Sequence, residues 1–355
     1  MAKTKPVKVA AVHDAAPFLE LEAGVAHTCE MIRRAAAGGA KLVAFPETYL
    51  PGYPYWIWSH TPKHAAPLFA ELYANSPELP SEASRAIAAA AKDTGTWVVL
   101  GMDEKEGGTL YNTLAYFSPT HGLVARHRKL QPTNAERTVW GRGDGRDVFV
   151  LDTSFGKLGG LICFEHTMDL AAYSLATLGE QIHISSWPAI SATHADPNSG
   201  EFDRYSSTLA TSYAIRNQCF VIVVQGRIDE KIIAKLAVQN PDDAPTVGGG
   251  YVGVIGPDGK WIAGPSHDED DILYAEIDLS NIAYAKFFAD SAGHYARPDV
   301  FSFGISQQRI EALTTQTATH EHAAFAGTEA PGGERVEESS GEPGLVIRAT
   351  GGGRE

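Results

Sequence analysis

The sequence of 355 residues contains only three cysteines, no apolar run near bilayer length and fewer basic than acidic residues. The 29 Lys and Arg against 43 Asp and Glu give a formal net charge of −14, without a Lys- or Arg-rich run. Such a chain repels nucleic acid and anionic membranes, so neither is an expected partner. A membrane-spanning helix needs about 20 apolar residues, and the N-terminus lacks the apolar core of a secretory signal. We therefore expect a soluble, cytoplasmic protein.

The three cysteines, Cys29, Cys163 and Cys219, are odd in number and far apart. This usage fits a reducing compartment and does not indicate a disulfide framework. Cys29 lies on the apolar face of a predicted helix and Cys219 borders a predicted strand, so we expect both in the core. His320 and His322 resemble a metal pair only by spacing and have no suitable neighbouring ligands, so we expect no metal site there.

Apolar periodicity predicts alternating strands and helices in the first half of the chain. Strands are expected at 7–12, 42–45 and 97–102, and helices at 19–37 and 81–93, where Ser81 is a plausible N-cap. Hairpins are expected at 110–127 and 250–263. This order favours a mixed sheet, or two packed sheets, covered by helices. From about residue 314 the composition changes to Ala, Thr, Gly and Glu, which indicates a flexible tail.

Three polar residues stand just past the ends of predicted strands: Glu47, Lys129 and Cys163. Such positions tend to meet on one rim of a sheet, where sites are commonly built. A thiol is a poor nucleophile until it loses its proton, which a carboxylate can accept. An ammonium can lower the thiol's pKa and stabilise negative charge on a substrate. The trio thus predicts nucleophilic attack on an electrophilic carbon, with no metal or cofactor required. Singly, each residue also has an ordinary structural explanation.

The segments around these residues closely resemble the three signature regions of the nitrilase superfamily, in the same order. They are FPE at 45–47, HRKLQPT at 127–133 with the following Glu136 and Arg137, and GGLICFEH at 159–166. Further segments, at 50–58, 138–145, 186–188 and 293–299, look like the nitrilase branch of that superfamily. The resemblance extends over roughly residues 7–303.

The resemblance implies an α/β fold of the four-layer α-β-β-α sandwich type, with two packed mixed sheets covered by helices. It implies a carbon-nitrogen hydrolase domain over residues 1–310. The flexible Gly- and Glu-rich tail that the composition indicates then covers 311–355. The resemblance also implies a catalytic triad of Glu47, Lys129 and Cys163, with Glu136 as a supporting carboxylate. Homo-oligomers are expected, as dimers that assemble further into spirals or filaments.

The implied activity is that of a nitrilase, which hydrolyses an organic nitrile with two waters to a carboxylic acid and ammonia. The reaction proceeds through a covalent cysteine thioimidate and thioester, and some amide can be released as a by-product. It needs no cofactor. Tyr53, Phe164 and Trp187 are the expected substrate-pocket residues. Phe164 stands where nitrilases most often carry Trp, a departure that bears on substrate size.

Other functions stay open at this point. Cyanide hydratase or dihydratase and aliphatic amidase or carbamoylase use the same triad, and a filament-forming protein without activity is the alternative outside enzymology. Glu165 and His166 also offer a Cys/His dyad with Cys163. We set this dyad aside because adjacent side chains on an extended segment point apart.

Overall fold

The computed structural model describes residues 6–189, 200–238, 240, 244–267 and 271–309. Strands within these ranges are β1 (Val7–His13), β2 (Leu42–Ala44), β3 (Trp97–Glu106), β4 (Thr109–Ser118), β5 (Gly122–Arg128), β6 (Leu151–Thr153), β7 (Gly156–Ile162), β8 (Ile182–Trp187), β9 (Phe220–Gln225), β10 (Val252–Ile255), β11 (Trp261–Ser266) and β12 (Asp271–Ile277). The helices are α1 (Leu21–Ala37), α2 (Pro62–Asn75), α3 (Glu82–Thr94), α4 (Asp169–Thr177), α5 (Gly200–Asn217), α6 (Glu230–Leu236) and α7 (Asn281–Phe288).

The strands form two mixed sheets of six. The first has the order β12-β1-β2-β3-β4-β5, and the second has the order β11-β10-β9-β8-β7-β6. In each sheet three neighbouring strands are parallel, namely β1, β2 and β3 in the first and β7, β8 and β9 in the second, while the outer pairs are antiparallel. The prediction of mixed sheets is therefore confirmed.

Alternating residues of β1 establish the order of the layers. Ala10 and Val12 pack into a cluster with Met31 of α1 and Ile87 of α3. Val9 and Ala11 belong to a second cluster, which holds strand residues of both sheets together with residues of α4 and α5. Because successive side chains of a strand point to opposite faces, the first sheet has helices on one side and the second sheet on the other. This arrangement confirms the α-β-β-α sandwich.

Local sequence signals explain some helix boundaries and miss others. Ser81 caps α3, since its hydroxyl accepts from the Ser84 amide while Ser84 returns the bond, and the helix ends at Gly95 with φ of 65°. Helix α2 was not predicted. Its sequence begins with Pro62 and has Pro67 inside the helix, and an internal proline removes a backbone donor and lowers helix propensity.

The described ranges leave some predictions untested. The tail at 311–355 lies outside them, as do His320 and His322, so the domain boundary at residue 310 stays a prediction. Among the helices of the described ranges, none is both long and apolar enough for a membrane crossing.

Candidate active site

A buried cluster of three charged side chains joins two of the predicted catalytic positions. Lys129 Nζ donates to Glu47 Oε1 at 2.8 Å and to Glu136 Oε2 at 2.7 Å. All three side chains are fully buried. Since buried charges are tolerated only when paired and hydrogen-bonded, the ammonium and the carboxylates depend on each other.

Neighbouring strands of the first sheet fix the Glu47 carboxylate. Asn112 of β4 donates to Glu47 Oε1 from its side-chain Nδ2 at 2.6 Å, and the backbone carbonyl of Asn112 accepts from the backbone N–H of Lys129 at 2.8 Å. Gly101 of β3 lets the Glu47 segment approach, because a Cβ at 101 would lie 1.9 Å from the Pro46 carbonyl oxygen. The other oxygen, Glu47 Oε2, has no hydrogen-bond partner among the described residues. Glu47 Oε1 is therefore held in place, while Oε2 can accept a proton.

Cys163 lies where β7 of the second sheet ends and a 3-10 turn (Cys163–Thr167) begins. Its φ of 54° is in the left-handed region, which costs a non-glycine residue energy and persists only where the surroundings impose it. The side chain is fully buried, and the charges of Lys129 and Glu47 both act on it. The structure thus brings all three predicted residues within electrostatic reach of one another.

Burial and charge set the protonation of this cluster. Burial raises the pKa of Cys163 well above its usual value, and the positive charge of Lys129 opposes that rise, so the resting group is the thiol. Burial also raises the pKa of Glu47 to about 7, with Lys129 lowering it and the charge of Glu136 adding to it. For Lys129, burial alone lowers the pKa, but the charges of Glu136 and Glu47 outweigh burial and hold the pKa well above normal.

Glu165 links the lysine segment to the cysteine segment. Its carboxylate accepts from the Leu130 amide at 2.7 Å, from the Ile162 amide at 2.7 Å and from His127 Nε2 at 2.8 Å. His127 also donates from Nδ1 to the Asp147 carbonyl oxygen at 2.7 Å, so both ring nitrogens carry protons. Burial lowers the pKa of His127, but the Glu165 charge outweighs burial and raises it to about 9. This ion pair holds residues adjacent to Lys129 and Cys163 across the two sheets.

The reason given above for setting His166 aside was wrong. The segment after Cys163 is not extended but forms the 3-10 turn, which bends His166 back over the cysteine backbone. His166 Nδ1 donates to the Cys163 carbonyl oxygen at 2.7 Å. His166 therefore contacts the main chain of the cysteine.

The predicted pocket residues divide into two groups. Tyr53 is buried and donates from its hydroxyl to Glu136 Oε1 at 2.9 Å, so it extends the charged cluster. Phe164 and Trp187 meet edge to face with ring centroids 6.0 Å apart, and Phe202 contacts both rings. The three rings form an aromatic group around Phe164, the residue that follows Cys163. Whether they line a substrate pocket stays a prediction.

The two other cysteines are confirmed as core residues. Cys29 is buried on α1 and contacts the Ala86 carbonyl of α3, and Cys219 is fully buried just before β9. Among the described residues, no group of three or more His, Cys, Asp or Glu side chains is arranged to hold a metal ion.

Sequence analysis missed two residues that shape the site, Asn112 and His127. Asn112 interrupts an otherwise strand-favouring run, and asparagine is depleted in strands, so its presence there is the signal that was available. His127 immediately precedes the Arg128 and Lys129 pair, but its partner Glu165 lies 38 residues away. Nothing local in the sequence connects these two side chains.

Comparison with known proteins shows the family of this chain. The family model described as carbon-nitrogen hydrolase matches residues 8–287. The chain is 37% identical over 328 residues to a nitrilase from Bacillus sp. (strain OxB-1), covering 90% of this chain and 95% of that protein. It is 35% identical over 316 residues to a cyanide hydratase from Stereum hirsutum, covering 86% of this chain and 85% of that protein.

A solved structure of a carbon-nitrogen hydrolase from Helicobacter pylori G27 has the same fold. It superposes with a TM-score of 0.65 at 22% sequence identity, covering 83% of this chain and 97% of that one. The sandwich and the match to the family model define the class of protein as a hydrolase of carbon-nitrogen bonds. The chain belongs to the carbon-nitrogen hydrolase family and, by its relatives, to the nitrilase branch, which confirms the resemblance seen in its motifs.

Proposed function

We propose that the protein hydrolyses an organic nitrile with two waters to the carboxylic acid and ammonia, with Cys163 as nucleophile, Glu47 as general base and Lys129 as electrophilic support. The observation that carries this proposal is the Glu47 carboxylate, whose Oε1 is held by Lys129 and Asn112 while its Oε2 has no hydrogen-bond partner in the described part of the protein. A base with a pKa of about 7 accepts a proton readily near neutral pH and gives it up again.

In the first step Glu47 takes the Cys163 thiol proton while the sulfur forms a bond to the nitrile carbon. The developing negative nitrogen is stabilised by Lys129 and by the backbone N–H of Phe164, which lowers the pKa of Cys163. The proton held by Glu47 then passes to that nitrogen. The product of this step is a covalent thioimidate.

Water then adds to the thioimidate carbon and gives its proton to the nitrogen through Glu47. In the acid-forming path the hydroxyl proton moves to the nitrogen, the carbon-nitrogen bond breaks, and ammonia leaves a thioester on Cys163. A second water hydrolyses the thioester and restores the thiol. If the carbon-sulfur bond breaks instead, the hydroxyl proton returns to sulfur and an amide is released. A difference of about 1.4 kcal/mol between these barriers changes the product ratio tenfold.

Supporting roles are proposed for the residues around the triad. Glu136 accepts the second hydrogen bond of Lys129, and Tyr53 donates to Glu136. The aromatic group of Phe164 and Trp187 is proposed as a wall of the substrate pocket. This arrangement needs no metal or cofactor, because the carboxylate and the ammonium supply the proton transfer and the charge stabilisation.

Hydration of cyanide is the second candidate function. The similarity to a protein named cyanide hydratase, at 35% identity, favours this alternative, and the same steps with hydrogen cyanide and early thiol release give formamide. An aliphatic amidase is the third, since an amide enters the same path at the tetrahedral intermediate.

We propose, further, that copies of the chain associate into dimers and then into spirals or filaments. Large aromatic side chains near the end of the described part are exposed, with Tyr284 at 71%, Phe287 at 77% and Phe301 at 73%. Exposed apolar groups of this size support an interaction surface. Light scattering is expected to give a mass above one subunit, and a monomer at micromolar concentration would contradict the proposal.

The cytoplasmic location also stays a prediction, supported by three unpaired cysteines.

The test of the main proposal is ammonia release, with acid and amide quantified together, from the purified protein. The panel contains phenylacetonitrile, benzonitrile, an aliphatic dinitrile, cyanide and the matching amides, and Cys163→Ala is the control. Turnover of organic nitriles without turnover of the amides is the expected result. Turnover of cyanide alone would overturn the proposal in favour of cyanide hydration. Turnover of amides alone would overturn it in favour of an amidase.

A further inference from the structure

A second buried polar chain reaches Cys163 from the helix side of the second sheet. His166 Nδ1 contacts the Cys163 carbonyl oxygen at 2.7 Å, and its Nε2 lies 3.0 Å from His183 Nε2 of β8. His183 Nδ1 lies 2.8 Å from Glu180 Oε1, and Tyr213 of α5 donates to Glu180 Oε2 at 2.6 Å. We call Glu180, His183 and His166 the histidine chain. The proposed chemistry does not use it.

The donors and acceptors fix where the protons of the histidine chain lie. The Cys163 carbonyl only accepts, so His166 carries its proton on Nδ1 and, when neutral, accepts at Nε2. His183 then donates from Nε2 and accepts at Nδ1, which leaves Glu180 Oε1 as the donor of the last bond. Every hydrogen bond is satisfied when all three groups are neutral. An ionised Glu180 would instead require a cationic histidine in the core.

The surroundings favour this neutral form. Burial raises the pKa of Glu180 to about 8 and lowers the pKa of His166 to about 3, and it also lowers the pKa of His183. The other titratable groups that face the chain are Tyr116, His127, Glu165, Tyr213 and Cys219.

Gly159 of β7, the strand that leads to Cys163, makes room for the histidine chain. A Cβ at Gly159 of β7 would lie 2.2 Å from Glu180 Oε1, so the carboxyl occupies space that a side chain at 159 would take. Two aromatic rings flank the histidines: Trp187 stacks on His166 with centroids 5.0 Å apart, and Tyr213 stacks on His183 at 3.8 Å. Neither imidazole is free to rotate away from its partners.

We propose that the histidine chain is a positioning device for the nucleophile, which holds the Cys163 carbonyl, and with it the left-handed backbone at Cys163, through a one-directional series of neutral hydrogen bonds. The inference rests on the proposed role of Cys163 as nucleophile. Glu180, His183 and His166 are positioning residues, since they act on the cysteine through its backbone. Losing the terminal donor leaves His183 Nδ1 unsatisfied and frees the series to rearrange.

The test compares two replacements of Glu180 in the full chain. Glu180→Gln keeps a donor for His183 and an acceptor for Tyr213, so it mimics the neutral carboxyl. Glu180→Leu has similar bulk and neither function. Ile184→Ala is the matched control, because Ile184 is a fully buried neighbour of His183 on β8 whose side chain points to the opposite face.

The first readout is the rate constant for alkylation of Cys163 by iodoacetamide, followed by peptide mass spectrometry with Cys29 and Cys219 as internal references. The second is kcat and KM for the best nitrile of the panel, and unfolding midpoints are measured alongside. Glu180→Leu is expected to lower the alkylation rate constant and kcat about tenfold with KM within about twofold. Glu180→Gln and Ile184→Ala are expected to stay within about twofold of the unchanged protein in both readouts, although Ile184→Ala lowers the unfolding midpoint.

Three results would overturn the inference: Glu180→Leu without effect on alkylation, Glu180→Gln as slow as Glu180→Leu, or Ile184→Ala as slow as Glu180→Leu at equal loss of stability. Failure of the proposed function has a different signature. In that case the unchanged protein does not hydrolyse nitriles, while the alkylation difference between the two Glu180 variants persists.

Discussion

Two buried polar groups meet at Cys163, and they carry their protons in opposite ways. The cluster of Glu47, Lys129 and Glu136 is charged, with an ammonium between two carboxyl groups. The histidine chain is neutral, although it contains a carboxyl group that is just as buried. Burial is therefore common to both groups and does not explain the difference.

The difference arises from the available donors. Lys129 offers three N–H donors and no acceptor, so its neighbours must accept, and carboxylates do so best. Imidazoles donate at one nitrogen and accept at the other, so a series of them needs a proton donor at its end. A buried carboxyl group therefore takes the protonation state that completes the hydrogen bonds around it. Glu47 exchanges protons near pH 7, while Glu180 keeps its proton up to about pH 8.

The largest expected effect comes from removing the group on which both sets of residues act. Cys163→Ala is expected to lower nitrile turnover by about 10⁴-fold or more, because no nucleophile remains. Ammonia release measures this change. Cys219→Ser is the control, which is expected to lower the unfolding midpoint with kcat retained. Turnover by Cys163→Ala at a rate near that of the unchanged protein would refute the assignment.

Removing the cation tests the charged cluster. Lys129→Met is expected to lower kcat by about 10³-fold, since the negative nitrogen loses its partner. It is also expected to lower the free energy of unfolding by about 3 kcal/mol at pH 8, because two carboxylates stay buried without a cation. The loss should shrink at pH 5, where Glu47, whose pKa is raised to about 7, takes up a proton. Urea unfolding at both pH values checks this, with Lys157→Met as the control, because Lys157 is only partly buried and pairs with the exposed Asp152. An equal loss at both pH values would contradict a charged cluster.

Because the histidine chain is neutral, we expect stability to depend on pH with the opposite sign to that of an ordinary ion-paired carboxylate. The pKa of Glu180 is raised to about 8, so its stabilising contribution is complete below its usual pKa and is lost as pH rises through 8. The free energy of unfolding of the unchanged protein, relative to Glu180→Gln, is expected to fall by about 1 kcal/mol per pH unit between about pH 5 and 8.

Urea titrations at several pH values measure that slope, and Glu276→Gln at an exposed position of β12 is the surface control. A relative stability that rises with pH over the same interval would mean that Glu180 is ionised in the folded protein. The neutral assignment would then be wrong.

The smallest expected effect concerns the pKa of Glu47, the proposed general base. The charge of Glu136 contributes to the raised pKa of Glu47, so Glu136→Gln is expected to move the acid limb of kcat/KM from about pH 7 to lower pH by about one unit. Glu180→Gln is expected to leave that limb in place. pH-rate profiles of both variants provide the measurement. A shift in the second variant alone would reverse the proposed division of labour.

Much of the sandwich was predictable because its signals are local. The cap at Ser81 and the alternation in β1 follow from neighbouring residues, and α2 was missed where two prolines masked a helix. Glu47, Lys129 and Cys163 were predicted as site residues because they are polar residues just past predicted strands and because their segments resemble family motifs. Asn112 and Glu180 were not, since their partners are fixed by tertiary packing. The left-handed backbone at Cys163 has no signature in residue type.

The most direct test of the account is a search for the covalent intermediate. The protein is mixed with a slowly hydrolysed nitrile from the panel, quenched in acid and analysed by peptide mass spectrometry. The account predicts an adduct on the peptide that contains Cys163, with the mass of the nitrile for the thioimidate or of the acyl group for the thioester, and no adduct on Cys29 or Cys219. Steady release of ammonia without any adduct on Cys163, or an adduct on another cysteine, would contradict it.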